Sequence, residues 1–352
     1  MYLAFRGVEF ESFINELKQT NYFVAFAGAF IGVIIGGIIR AYRWRYFLNP
    51  IKDNIKFSNL FSSMMIGYMM NSIVPKSGEL SRPVILAKME NVSRASSFGT
   101  IIVERIFDMV TLISVFGICL VWYRDEISGS FGEYNLEIYA YYSGIAIILF
   151  VIAIVVMILN IRWTEKFISK LSVRFLPKKI QEKVNKILIS LINGFMFIKH
   201  PGKYLPIAFL TILLWISYVV SAYVSFFAFD INLSIVDANL LLTIITFALV
   251  LPLPGNSAGA YHFFCTGTLV NIFYISKEIA FSYATVTHLL NFLFLVSIGF
   301  YYSIKTNFKL KFFRPDKYHK LSGLIFFGNV VKNSWCLGSQ IEFRRNNESS
   351  YN

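Results

Sequence analysis

The stretch Asn71–Asp108, NSIVPKSGELSRPVILAKMENVSRASSFGTIIVERIFD, decides the fold. Its apolar opening stops at the polar break PKSGE and restarts at SRP, and Glu104, Arg105 and Asp108 then enter the next apolar run. A charged side chain at bilayer depth costs at least ~2.5 kcal/mol, so such residues indicate function by default. Broken backbone at that depth persists only where it is buried in protein or lines a wet cavity. The stretch therefore predicts an interrupted helix at a functional site in a membrane protein.

The interruption is predicted to lie at Pro75 and Gly78. Ser77 or Ser81 can cap the helix that resumes, with Pro83 tolerated in its first turn. The start of that helix directs a partial positive charge toward the break, as in transporters that hold anionic groups.

The composition excludes a soluble domain. Of the 352 residues, 56% are hydrophobic and 15% charged, and the mean hydropathy is +0.59, which is typical of a polytopic membrane protein. The net charge of +13 comes from basic residues in loops between apolar runs, which fits the positive-inside rule better than nucleic-acid binding. The three cysteines and four histidines have no metal-ligand spacing, so neither a disulfide framework, a metal site nor a cofactor is expected.

Five stretches are long and apolar enough to cross a bilayer core of about 30 Å: Val24–Leu48, Phe98–Trp122, Ile138–Leu159, Tyr204–Phe229 and Ile279–Ile304. Basic flanks predict a cytoplasmic C-terminus, and the acid-rich loop after Trp122 is expected outside. The expected location is the inner (plasma) membrane. The segment Ile161–Lys203 predicts a basic amphipathic element on the anionic cytoplasmic leaflet.

Two further stretches predict re-entrant helical hairpins. Phe57–Ser97 enters from the cytoplasm and returns to it, because its second arm, Val84–Ser97, is too short and too charged to span. The arms Ala238–Leu251 and Ala260–Ile275 form a hairpin entered from outside, with its break at Pro252, Pro254, Gly255 and Asn256. Paired interrupted segments of opposite orientation indicate an inverted repeat with a binding site between the halves.

The sequence thus predicts an all-α membrane domain over residues 1–320, with halves 1–160 and 161–320, and a poorly ordered cytoplasmic tail over 321–352. The N-terminus lacks the pattern of a signal peptide. Its apolar residues MYLAF rise only about 8 Å as helix and cannot cross the membrane. Counting the sides of the loops, we expect this sequence to lack a first transmembrane helix; homo-oligomerisation stays open.

Four motifs carry a resemblance through their order and spacing: RAYRW (Arg40–Trp44), GYMMNSIVPKSGELSR (Gly67–Arg82), VERIFD (Val103–Asp108) and LPLPG (Leu251–Gly255). With them, roughly Tyr2–Lys311 resembles the transmembrane domain of lysylphosphatidylglycerol synthase, a flippase-like family. Two positions depart from the usual pattern: Lys76 stands where arginine is more frequent, and Asn256 where a second glycine is usual.

The resemblance implies translocation of a phospholipid or lipid-linked headgroup between leaflets, with an anionic or aminoacylated phospholipid or a lipid-linked sugar as partner. Only about 48 residues follow Ile304, too few for an aminoacyl-transfer domain, so synthase activity is not expected. The alternative is an integral-membrane glycosyltransferase or other transferase acting on a polyprenyl or phospholipid carrier. Such an enzyme would use an acidic metal-binding cluster on a cytoplasmic loop, whereas the long loop here is basic. A plain structural role is disfavoured by the intramembrane charge.

Two interpretations of the intramembrane charges stay open. In one, they form an internally neutralised network that ties the first hairpin to the next span. In the other, they form a lipid-headgroup site: Arg82, Lys76 and the restarted helix end hold a phosphate, which arginine can bind bidentately. The acidic residues Glu79, Glu104 and Asp108 then balance the charge or meet a cationic headgroup. The candidate headgroup-binding residues are Asn71, Lys76, Glu79, Arg82, Glu104, Arg105 and Asp108.

The remaining notable side chains are assigned no chemistry. Arg40, Arg43 and Trp44 are predicted to anchor a helix end at the membrane–water interface. His262 and His288 lie in apolar context and are interpreted as core histidines.

Overall fold

The computed structural model describes residues 9–123, 200–250 and 257–307, together with single positions between 145 and 166. The regular elements within these ranges are helices, and they belong to one compact unit that spans Met1–Asn307. In chain order they are α1 Phe10–Gln19, α2 Tyr22–Leu48, α3 Phe57–Ile73, α4 Ser77–Glu90, α5 Arg94–Trp122, α6 Tyr204–Phe226, α7 Ile235–Val250, α8 Ala258–Asn271 and α9 Lys277–Lys305.

Within the described ranges, three helical segments are long and apolar enough to cross a membrane: Tyr22–Leu48, Pro201–Phe229 and Lys277–Lys305. The shortest has 27 residues and rises about 40 Å, more than the core of about 30 Å. The described part of the chain is therefore a multi-pass membrane protein. Other predictions fall outside the described residues: the span Ile138–Leu159, most of the basic element before residue 200, the break Pro252–Asn256, the missing N-terminal helix and the tail 321–352.

Helices α3 and α4 form a hairpin around the predicted break. Lys76 turns the chain with a left-handed backbone (φ 61°), and α4 begins at the next residue. The two arms have 17 and 14 residues and rise only about 26 and 21 Å. They also approach closely, since a Cβ added at Gly78 would lie 2.1 Å from the carbonyl oxygen of Gly67. Glycine is required there because any side chain would separate the arms.

The caps of this hairpin differ from the prediction. The backbone N–H of Gly78 donates to the Asn71 side-chain oxygen at 2.6 Å, so Asn71 caps α4 from the opposite arm. The Ser77 hydroxyl instead donates to the Met70 carbonyl at 2.8 Å. Pro83 is buried inside α4 and not in its first turn, because the helix begins six residues before it.

The open ends of the hairpin meet at one clamp centred on Glu90. Lys52 Nζ, just before α3, donates to the Glu90 carboxylate at 2.8 Å, and Asn59, in the first turn of α3, donates to it at 2.7 Å. Although desolvation raises it, the pKa of Glu90 is lowered overall by the hydrogen bonds from Lys52, Asn59 and the Lys56 backbone N–H. The chain therefore enters and leaves this hairpin at the same end of the molecule.

Helices α7 and α8 pack together as a second pair, whose open end lies beside the last residues of α5. The Tyr123 hydroxyl, just after α5, donates to the Asp237 carboxylate in the first turn of α7, and Tyr123 packs against Ile272 and Phe273 just after α8. The first hairpin instead joins the start of α5 at Arg94. Because the 29 residues of α5 rise about 43 Å, the two helix pairs open at opposite ends of this helix.

A row of small residues lets α2 and α6 approach closely. Gly28, Gly32 and Gly36 lie on one face of α2 at four-residue spacing. The Ser221 hydroxyl on α6 donates to the Gly28 carbonyl at 2.7 Å, and a Cβ at Gly28 would lie 2.3 Å from Ser225 Oγ. This is the small-residue packing that brings transmembrane helices into contact. The same stretch of α2 widens into one π-helical turn, a feature frequent at functional sites.

The hairpin geometry can be tested by side-specific labelling. In a chain with Cys336→Ser, we expect Lys56→Cys and Lys88→Cys to react with a membrane-impermeant maleimide from one side of the membrane only, because the open ends of α3 and α4 meet. Tyr274→Cys, at the exposed turn after α8, serves as the control and should react only from the other side. Labelling of Lys56→Cys and Lys88→Cys from different sides would contradict the hairpin.

Candidate functional site

Four arginines and three carboxylates come together where α2, α4 and α5 meet. We call this group the charge cluster: Glu79, Arg82, Glu104, Arg105 and Asp108, which were predicted as headgroup-binding residues, with Arg40 and Arg43. Helix α5 supplies Glu104 and Asp108 from one face, one turn apart, and Arg105, which reaches Asp108 at three-residue spacing. The structure thus joins the break region to α5.

Arg82 and Glu104 form the innermost pair. Arg82 Nη2 donates to Glu104 Oε2 at 3.0 Å, and both side chains are almost completely buried. The Arg82 guanidinium also lies over the Trp44 ring at 4.4 Å, a cation–π contact strengthened by the absence of water. Trp44 is fixed in turn, since its Nε1–H donates to Thr100 at 2.9 Å.

Two arginines of α2, Arg40 and Arg43, hold Asp108. Arg43 Nη2 lies 2.5 Å and Arg40 Nη2 2.8 Å from its carboxylate oxygens. Arg43 also donates to the Thr211 hydroxyl of α6 at 3.2 Å, and Arg40 to the Tyr68 hydroxyl of α3 at 3.0 Å. Through these bonds the charge cluster connects α2, α3, α5 and α6.

Arg105 completes the cluster at its more exposed edge. Its guanidinium lies 3.1 Å from Glu104, 3.5 Å from Asp108 and 3.9 Å from Glu79. Arg105 is 36% exposed and Glu79 28% exposed, whereas Glu104 is fully buried.

The charges do not cancel. Four guanidinium groups face three carboxylates, which leaves one positive charge in excess. In addition, the Nε–H of each of the four arginines is buried and has no hydrogen-bond partner among the described residues. Arginine holds its five donors in a fixed fork that matches carboxylate and phosphate oxygens. The charge cluster therefore carries one positive charge more than its carboxylates neutralise.

The remaining residues that the sequence singled out have other surroundings than those predicted for them. Arg43 and Trp44 are fully buried and Arg40 nearly so, so the predicted interface anchor is wrong: these side chains pair within the protein and do not face lipid or water. Lys76 is exposed at the hairpin turn and makes no ion pair with a described residue. Asn71 serves as the cap of α4.

A cavity of about 290 Å³ adjoins the charge cluster through Arg40, which is part of its wall. Polar groups of Tyr68, Tyr218 and Asn291 line it together with aliphatic residues of α7. Sequence reasoning missed this cavity, and the spacing of glycines on α2 was the one available signal of close packing there. The lining residues are Gly32, Val33, Gly37, Arg40, Tyr68, Tyr218, Ser221, Ala222, Ser225, Leu241, Leu242, Ile245, Thr246, Leu249, Tyr261, Tyr283, Thr287, Asn291 and Leu295.

The two histidines lie behind this cavity. His262 is buried, its Nδ1 lies 2.7 Å from the Ala258 carbonyl oxygen, and its ring is 5.5 Å from those of Phe281 and His288. Among the described residues no group of three His, Cys, Asp or Glu side chains could hold a metal ion. The arrangement of His262 agrees with a core role.

Comparison with known proteins identifies related sequences. The sequence family described as Lysylphosphatidylglycerol synthase TM region matches residues 1–299. A UPF0104 membrane protein of Methanocaldococcus jannaschii is 25% identical over 228 residues, which cover 62% of this chain and 66% of that protein. The match thus spans just under two thirds of this relative. No solved structure matches the chain.

Removing the central carboxylate should destabilise the fold. We expect Glu104→Gln to cost about 3–5 kcal/mol of unfolding free energy, because it leaves Arg82 buried without its anionic partner. The measurement is thermal unfolding of the detergent-solubilised protein, with Glu11→Gln on the exposed face of α1 as the control. A Glu104→Gln variant as stable as the control would show that the buried pair does not hold the helices together.

Proposed function

Since this chain belongs to the lysylphosphatidylglycerol synthase transmembrane family, we propose that it is a lipid translocase. It moves a phospholipid or a lipid-linked headgroup between the two leaflets of the membrane. One observation carries this proposal: a buried, arginine-rich cluster with one uncompensated positive charge opens through Arg40 onto a cavity of about 290 Å³.

The charge cluster addresses the main barrier to lipid translocation. A phosphate that leaves water for the apolar interior of a membrane loses strong hydration, at a cost of several kcal/mol or more. The excess positive charge of the charge cluster offsets this loss for a single anion. Arg40 is the member of the cluster that a ligand in the cavity can touch.

The size of the cavity suits a headgroup. Ligand pockets usually measure about 300–1,000 Å³, so a cavity of about 290 Å³ is too small for a whole phospholipid with two acyl chains. We propose that the phosphate and its headgroup enter the cavity while the acyl chains stay in the bilayer. The aliphatic side chains of Leu241, Leu242 and Ile245 form the apolar wall on the α7 side.

The helix pairs suggest how both leaflets gain access. In this proposal, α3–α4 is a re-entrant hairpin from the cytoplasmic face and α7–α8 one from the outer face of the plasma membrane, among five full spans. Their open ends at opposite ends of α5 support this inverted arrangement. The cavity lies between the halves, since its wall includes Arg40 and Tyr68 from the first and Tyr261 and Asn291 from the second. Inverted repeats carry their substrate sites at such a boundary.

The transferase alternative gains no support from the described residues. A metal-dependent transferase on a lipid carrier would bring several acidic side chains together at a water-facing loop. The carboxylates Glu104 and Asp108 instead lie within a helix, where each forms ion pairs with arginines. We therefore retain translocation as the function that the site favours.

The phosphate role of Arg40 can be tested in vesicles. We expect Arg40→Ala to slow translocation of acyl-labelled phosphatidylglycerol about tenfold or more, because a charge-assisted hydrogen bond contributes about 1.5–3 kcal/mol. The measurement is the fraction of label that dithionite quenches over time in reconstituted vesicles. Arg45→Ala is the matched control, since Arg45 lies on the same helix and makes no ion pair with a described residue.

Folding of the variants is checked by gel filtration and thermal unfolding. Asp108 keeps its contact with Arg43 in Arg40→Ala, so we expect that variant to fold. Arg40→Lys should retain part of the rate, because it keeps the charge but not the fork of donors. A folded Arg40→Ala protein that translocates the lipid at the wild-type rate would contradict the phosphate role.

A further inference from the structure

We infer that the cavity selects lipids whose phosphate carries an uncharged, hydroxyl-bearing headgroup, such as glycerol or a sugar alcohol, over lipids with a cationic aminoacyl headgroup. This inference rests on the proposed function and adds a substrate class to it. It is carried by the chemistry of the cavity wall and by two polar side chains in that wall that have no hydrogen bond to a described residue.

Arg40 is the one charged residue among the described residues that line the cavity, and no carboxylate joins it there. The carboxylates behind it are already occupied, since Asp108 contacts three arginines and Glu104 four. An ammonium group in the cavity would therefore meet a guanidinium of like charge and no free anion. Like charges in a medium of low dielectric constant repel strongly.

The rest of the polar lining consists of hydroxyl groups and one amide. Several of the hydroxyls are satisfied by the protein backbone: Ser221 donates to Gly28, Tyr283 to Ala222, and Thr246 to Leu242. These groups keep lone pairs that can accept from a ligand. A surface of hydroxyls and tyrosine rings matches a polyol, which both donates and accepts hydrogen bonds.

Two lining groups have no hydrogen bond to any described residue: the Tyr218 hydroxyl and the Asn291 side-chain amide. Both residues are only partly buried, so a ligand in the cavity that they line can reach these groups. Asn291 offers two donors and an acceptor, the complement of a vicinal hydroxyl pair.

Their positions fit the two parts of one headgroup. The Tyr218 ring lies against Gly36, one helical turn before Arg40, so its hydroxyl can join Arg40 on the phosphate. Asn291 lies on α9, in the half of the chain opposite to Arg40. Along α9 it comes eight residues, or about 12 Å, after Tyr283, another lining residue. In this arrangement, Arg40 and Tyr218 bind the phosphate, and Asn291 forms hydrogen bonds with the headgroup attached to the phosphate.

The test compares two lipids that share a phosphodiester and differ in headgroup charge. Acyl-labelled phosphatidylglycerol and acyl-labelled lysylphosphatidylglycerol are each reconstituted with the full chain, and their translocation rates are measured. We expect phosphatidylglycerol to move about tenfold faster or more. Asn291→Leu should remove most of this preference, and Asn291→Asp should raise the rate of the lysyl lipid because it adds a carboxylate to the cavity wall.

Thr285→Val is the matched control on the same helix, because Thr285 does not line the cavity and donates to its own helix at Phe281. It should leave both rates unchanged. If Asn291→Leu does not fold, Tyr218→Phe replaces it: this variant removes one unpartnered hydroxyl and should slow both lipids, as expected of a phosphate contact.

The outcomes separate the two proposals. If the wild-type protein moves both lipids at equal rates, or the lysyl lipid faster, the headgroup inference is overturned while translocation stands. If it moves neither lipid nor phosphatidylinositol, whose headgroup is also an uncharged polyol, the proposed function itself is overturned. An Asn291→Asp variant that folds but moves the lysyl lipid no faster than the wild-type protein does would show that Asn291 does not contact the headgroup.

Discussion

The burial of the charge cluster is the constraint on which the arrangement of the first half depends. Each ion removed from water costs several kcal/mol unless partners surround it. No single helix can supply those partners, so the cluster draws them from three: α2 provides Arg40 and Arg43, α4 provides Arg82, and α5 provides Glu104 and Asp108. The break in the first hairpin follows from this need. Only a short arm that turns back beside α3 can bring Arg82 onto both Trp44 and Glu104.

The second half is held together differently. Its main cluster of buried residues is apolar and includes Phe226, Leu241, Leu269 and Tyr283 from four helices. The two helix pairs open at opposite ends of α5. The charges of the charge cluster, however, all come from the first half. A cavity between the two halves has a cationic edge on one side and hydroxyl groups on the other. In the proposed function, this asymmetry gives a bound headgroup a defined orientation, which a fully symmetric repeat would not.

Much of the fold could be predicted from the sequence, because hydropathy and breaks are local signals. The polar break at Pro75 to Gly78 indicated the first hairpin, and Glu104 and Asp108 indicated a buried site. The partners of those charges could not be predicted. Arg40 and Arg43 end an apolar helix among aromatic residues, a composition identical to that of an interface anchor, and only the tertiary contact with Asp108 distinguishes the two. The cavity was also beyond prediction, since it forms between six helices and has no signature within any one of them.

The excess charge of the cluster helps to decide between its two interpretations. A network that served only to join helices would be most stable when neutral, because each unpaired buried charge is costly. Here three carboxylates face four guanidinium groups, and every one of those arginines keeps a buried Nε–H without a partner among the described residues. Arg40, which borders the cavity, is where a further anion can approach. In the proposed function, the phosphate of the lipid takes the place of the missing carboxylate, so the network is completed only while the substrate is bound. The structural and headgroup interpretations then describe the same residues in two states, without and with lipid.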